Sequence, residues 1–152
     1  MQRLANERGQ TLVEALLAVA FAVVVVVALV GVGITAMRTA DYGKNQAEAT
    51  RLSTEALELL RNQRDGGWAN FLAVAQNCVN PPNTGCCLPQ SNVLSMTATQ
   101  TPLSCLVASG GYNRYVVPVI SASSIVYTVH TSYIEGSVSR DVSLTQTFTN
   151  WH

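Results

Sequence analysis

Hydrophobic and polar positions are distributed along this chain in distinct blocks. Residues 1–9 are mostly polar. From Ala15 to Met37 there are 23 consecutive residues without a charge, including an unbroken run from Val23 to Val27. As a helix this block would be roughly 34 Å long, enough to cross a hydrocarbon core of ~30 Å. It exceeds the ~7–15 residues of a cleavable secretory core, and Thr35-Ala36-Met37 does not have the Ala-x-Ala form of a cleavage site. The block therefore reads as a membrane-spanning segment, 15–37, that is retained in the mature protein. Basic residues flank it on both sides (Arg3 and Arg8 before, Arg38 and Lys44 after), so charge alone does not orient it.

Beyond Met37 the period changes. Ala49, Leu52, Ala56 and Leu59/Leu60 recur at three- and four-residue steps, marking one apolar face of a helix. Arg51 with Glu55, and Arg61 with Asp65, stand four apart and predict ion pairs on the polar side. No proline interrupts Arg38–Asp65, and Asp65-Gly66-Gly67 predicts the stop. Thr11–Asp65 is thus expected as one helix of about 80 Å, apolar all round in its first half and one-sided in its second. Glycine is costly inside a helix, by ~1 kcal/mol relative to alanine, so Gly31-Val32-Gly33 is expected to be its weak point.

Residues 66–111 hold all four cysteines and no lysine or arginine. Trp68, Phe71, Leu72 and Ala75 predict a short apolar-faced helix, and Asn80 to Gly85 a turn-rich loop. In the final forty residues the period becomes two. Ile125, Tyr127, Val129 and Tyr133 share one parity, and Val138, Val142, Leu144 and Phe148 alternate with Ser and Thr. Glu135-Gly136-Ser137 supplies a turn. Tyr112–Ile120 is expected as a third strand, with Pro118 favouring an edge or a bulge. The result is a β-meander over 112–150, with one hydroxyl-rich face and one face free to pack on the stripe at Leu52–Leu60.

Composition narrows the chemistry. Nine Lys/Arg balance nine Asp/Glu, and only 12% of residues are charged. This disfavours a protein that holds nucleic acid by charge, and the apolar content disfavours a disordered chain. Cys78, Cys86, Cys87 and Cys105 lack the paired Cys-x-x-Cys spacing of zinc sites and read as two disulfides of an exported domain. Adjacent Cys86 and Cys87 are not expected to join each other. That leaves Cys78–Cys86 with Cys87–Cys105, or Cys78–Cys87 with Cys86–Cys105. His130 and His152 have no Cys, Asp or Ser at a catalytic or metal-binding spacing, and they read as solvated. No catalytic residue, cofactor or metal is expected, and the chain does not read as an enzyme.

The sharpest signal lies at the start of the apolar block. Glu14 is a carboxylate at the lip of a long apolar helix, where burial costs ~2.5–3.5 kcal/mol or more toward a bilayer centre. A cut after Gly9 would create a cationic amine at Gln10, able to neutralise Glu14 of a neighbouring copy. The segment Arg8-Gly9-Gln10-Thr11-Leu12-Val13-Glu14-Ala15-Leu16-Leu17 resembles the class III signal and N-terminal helix of type IV prepilins and pseudopilins. Val142 to Trp151 is also similar to the last strand of bacterial pilin-like proteins that end in Thr-Asn-Trp.

The resemblance implies an α+β, pilin-like fold in which a long N-terminal helix packs on a C-terminal antiparallel sheet. Its parts would be a leader at 1–9, the helix at 10–65, and a head at 66–152 with a disulfide-containing loop at 78–105. It implies cleavage after Gly9 by a prepilin peptidase, N-methylation at Gln10, and a role for Glu14 in docking to the next subunit. The expected product is a major or minor pilin of a type IV pilus-like filament. Before assembly it would sit in the cytoplasmic membrane with its N-terminus inside and head outside; afterwards it would stand at the cell surface. Expected partners are other pilin subunits, the peptidase, the pilus assembly platform and membrane lipid, with no direct nucleic acid. The alternatives are a pseudopilin of a type II secretion-like system and a monomeric, membrane-anchored binding module.

Overall fold

The computed structural model describes residues 3–80, 84–88, 97–99, 105–107 and 111–150, with 3–11, 97–99 and 107 described in backbone only. Helix α1 spans Arg3–Asp65 and α2 spans Trp68–Val79. Strands follow at β1 (Gly85–Cys87), β2 (Thr97–Thr99), β3 (Leu106–Val107), β4 (Tyr112–Ile120), β5 (Ser124–Glu135) and β6 (Val138–Thr149). The chain divides into two compact units, residues 1–43 and 44–152.

The described residues of the first unit are all helix. Residues 3–9, expected as a polar leader, belong to α1, which passes Gly31 and Gly33 without a break. Thr35 helps to cover that stretch by donating its hydroxyl to the Val32 carbonyl at 2.8 Å. Every side chain described from Leu12 to Gly43 is exposed.

The second unit is α+β: the later part of α1 packs on an antiparallel sheet, as expected. The stripe is real, since Ala49, Leu52, Ala56 and Leu60 are all fully buried, whereas Leu59 is only half-buried. Gly67, at φ 145°, supplies the break between α1 and α2. Helix α2 adds Phe71, Ala75 and Cys78 to the same core. Phe71 lies at its centre, with ring centroids 5.3 Å from Tyr127 and 5.4 Å from Phe148.

Among the described residues the sheet has six strands, in the order β2-β1-β4-β5-β6 with β3 also pairing β4. The expected meander is β4-β5-β6, and its hairpin turn is Gly136-Ser137, with Gly136 at φ 62°. Strand β5 alternates as the sequence predicts, with Ile125, Tyr127, Val129 and Tyr133 buried. On β6 the parity holds, yet only Phe148 is fully buried and Val138 is 49% exposed, because β6 terminates the described strand order.

One expectation is met only locally and one is corrected. Strand β4 is interior to the strand order, yet Pro118, buried opposite Tyr127, holds an edge position locally and makes no bulge. The missing amide is tolerated because β1 pairs β4 only at Tyr115 and Val116, so Pro118 lies past the end of that ladder. The second concerns Arg61, which pairs with Glu58 rather than Asp65, while Asp65 pairs with Arg64 at 2.7 Å. Helical side chains lean toward the N-terminus, and an acid placed before a base is the better order. Arg51 follows the same rule, at 2.7 Å from Glu48 and 3.6 Å from the expected Glu55.

Candidate functional site

The candidate site in the first unit is the apolar face of α1 around Glu14. A window of this helix reaches a mean hydropathy of 3.1, and none of it is buried within the molecule. By length and composition it can cross a membrane. Leu12, Val13, Leu16 and Leu17, which surround Glu14, are each 54–62% exposed. Glu14 has no ion-pair partner among the described residues. The side chain of Gln10 lies outside the described residues, and Gly9 is placed only as helical backbone. The amine–carboxylate contact expected of Gln10 and Glu14 is one between copies, so a single chain does not bring it together.

In water this surface is untenable. Burying one Val, Leu or Phe side chain is worth ~1.5–3 kcal/mol, and sixteen large apolar side chains between Leu12 and Met37 are exposed. The sum is on the order of tens of kcal/mol, and an exposed apolar surface of this extent marks a contact with lipid or protein.

The four cysteines form two disulfides, Cys78–Cys86 and Cys87–Cys105, with Cα separations of 5.1 and 5.0 Å. Strand geometry chooses between the two open pairings. Successive residues of a strand point to opposite faces. Cys86 therefore turns into the core toward Cys78 on α2, and Cys87 turns away toward Cys105. The first bridge ties α2 to the sheet; the second ties β1 to the segment entering β3.

Between the helix and the sheet lies a polar seam that sequence reasoning missed. Arg114, Ser53 and Thr131 are fully buried. The Arg114 guanidinium donates from Nη1 to the Leu52 carbonyl at 2.9 Å and lies 3.6 Å from a Glu55 carboxylate oxygen. Burial pulls this guanidinium below the ordinary arginine value and Glu55 opposes that pull; arginine remains charged. The Ser53 and Thr131 hydroxyls meet at 2.7 Å, and Ser53 also donates to the Ala49 carbonyl. Arg114 and Thr131 carried a signal, since each occupies the inward parity of its strand, between Tyr112 and Val116 and between Val129 and Tyr133.

On the outward face, His130 is not simply solvated. Its Nδ1 lies 3.0 Å from Asp141 Oδ2, and its ring stacks on Tyr115 at 4.8 Å and 9°. The hairpin register makes this contact, placing His130 beside Tyr115 and diagonal to Asp141. Burial, followed by the Asp141 charge, raises the Tyr115 phenol above its ordinary value. Among the described residues no group of three His, Cys, Asp or Glu side chains could hold a metal ion. No protein-family model, curated protein or solved structure matches the chain.

Proposed function

We propose that this chain is a structural subunit, a major or minor pilin, of a type IV pilus-like filament. It is held in the cytoplasmic membrane by α1, cut after Gly9 by a prepilin peptidase, and passed through an assembly platform into a bundle of like helices. The observation that carries this reading is the exposed, uncharged stretch of α1 with Glu14 at its start, continuous in chain with a helix segment that packs on an antiparallel sheet. A lipid-only anchor would give Glu14 no benefit, because a carboxylate in hydrocarbon is costly. A bundle of copies gives it the neighbour's new amine. Lipid and bundle are similarly apolar, so the transfer depends on packing and on this charge pair for its direction.

The test is the amino-terminal residue of protein purified from its native membrane, followed by the Glu14→Ala variant. Mature protein should begin at Gln10. Glu14→Ala should be cleaved normally and enter filaments at least tenfold less than the parent, measured by quantifying sheared filaments. An intact Met1, or parental filament yield from the variant, would overturn the assignment.

A further inference from the structure

The two disulfides leave adjacent residues of β1 in opposite directions. Cys78 and Cys86 are fully buried and belong to the apolar cluster of Leu60, Phe71, Val116 and Tyr127. A thiolate reaches that bridge only if the core opens. Cys87 is half-buried, Cys105 is 4% exposed, and neither is among the described members of the two apolar clusters. Thiol–disulfide exchange needs access to a sulfur, and exposed bridges are the labile ones. Opening the Cys87–Cys105 bridge asks for no change in the core. Strand alternation also directs a released Cys87 thiol away from the Cys78–Cys86 bridge, on the other face of β1.

We propose that Cys87–Cys105 is a redox-releasable clasp that holds β3 on β4, whereas Cys78–Cys86 is a permanent tie within the core. A thiolate of an external dithiol attacks Cys87 Sγ to form a mixed disulfide, and Cys105 leaves as a thiolate that takes up a proton. The second thiol of the reagent then displaces Cys87, so the dithiol gives up two electrons as the protein bridge gains them. The contacts released lie on one side of β4. Arg114 donates its amide to the Cys105 carbonyl at 2.9 Å, and Leu106 and Val107 pair with Asn113 and Tyr112 just beyond. With the bridge open, these contacts lose their covalent tie. Strand β4 itself stays in place through its pairing with β5 from Asn113 to Ile120. Successive amides of a strand point to opposite sides, so the Tyr115 amide faces β5 and keeps its partner there. An oxidising exterior keeps the clasp closed, and a dithiol opens it. The inference concerns residues 44–152 and does not depend on filament formation.

The full chain in detergent micelles would be treated with increasing dithiothreitol and quenched with iodoacetamide, and the labelled cysteines located by fragmentation mass spectrometry. The expected first product carries labels on Cys87 and Cys105 alone. It should form at least tenfold faster than any product labelled at Cys78 or Cys86. In that product the Arg114 amide, followed by hydrogen exchange, should lose protection at least tenfold while the Tyr115 amide changes less than twofold. The variant Cys87→Ser/Cys105→Ser should show the same exchange pattern without reductant; should it fail to fold, the partly reduced parent decides by the same ratio. Cys78–Cys86 opening first, both bridges opening together, neither opening, or equal exchange changes at Arg114 and Tyr115 would overturn the proposal.

Discussion

Tyr127 is a fully buried phenol whose hydroxyl has no hydrogen-bond partner among the described residues. An unmatched buried hydroxyl costs ~1–3 kcal/mol, so Tyr127→Phe should leave stability near neutral pH unchanged or raise it by about 1 kcal/mol. The same burial raises the Tyr127 pKa above the ordinary 10.0. The folded chain then holds its proton more tightly than the unfolded chain. Stability is complete below that ordinary value and falls as pH climbs past it. Denaturant unfolding near pH 7 and at about pH 10.5 should show the alkaline loss reduced in Tyr127→Phe. A residual loss should remain, because burial also raises Tyr112 and Tyr115. A variant clearly less stable near neutral pH would mean that the hydroxyl is bonded. None of this is visible in the sequence, where Tyr127 reads only as an inward strand position.

Among the elements, two glycines separate backbone crowding from helix propensity. A Cβ on Gly85 would lie 2.7 Å from the Val116 carbonyl oxygen, and neither backbone can retreat without breaking the β1–β4 ladder. Gly85→Ala should therefore cost about 1–3 kcal/mol, as overpacking does. Gly43 meets nothing within 4 Å and sits inside α1, so Gly43→Ala should stabilise by about 0.5–1 kcal/mol. Thermal melts of the two variants should move in opposite directions, and movement in the same direction would refute the contrast. Element identity was largely legible: the three- and four-residue stripe gave the later part of α1, and the two-residue alternation gave β5 and the parity of β6. The short strands β1–β3 were not, because a strand of two or three residues has no period to read. Pro118 marks an edge only locally, for a related reason. A missing amide constrains only the side of a strand that is paired, and the sequence does not say where β1 ends.

For the whole molecule, the buried residues among those described run from Ala49 to Phe148, all within the second unit, and both disulfides lie there too. A chain starting at Lys44 should fold, stay monodisperse without detergent, and show its four cysteines blocked to alkylation until reduced. The full chain should need detergent or lipid. Sedimentation of both forms would check this, and an aggregated truncated chain would show that residues 1–43 complete the core. The sequence by itself determined the uncharged span, the acid at its start, the one-sided helix and the alternating strands. Each is a matter of local composition and period, which a chain carries without folding. The tertiary structure alone decided the pairing of the cysteines, the burial of Arg114 against Leu52 and Glu55, the meeting of Ser53 with Thr131, and the His130–Asp141 contact. Those depend on which face of one element lands on which face of another, and residues far apart in the chain acquire a mutual spacing only when the sheet and helix are packed.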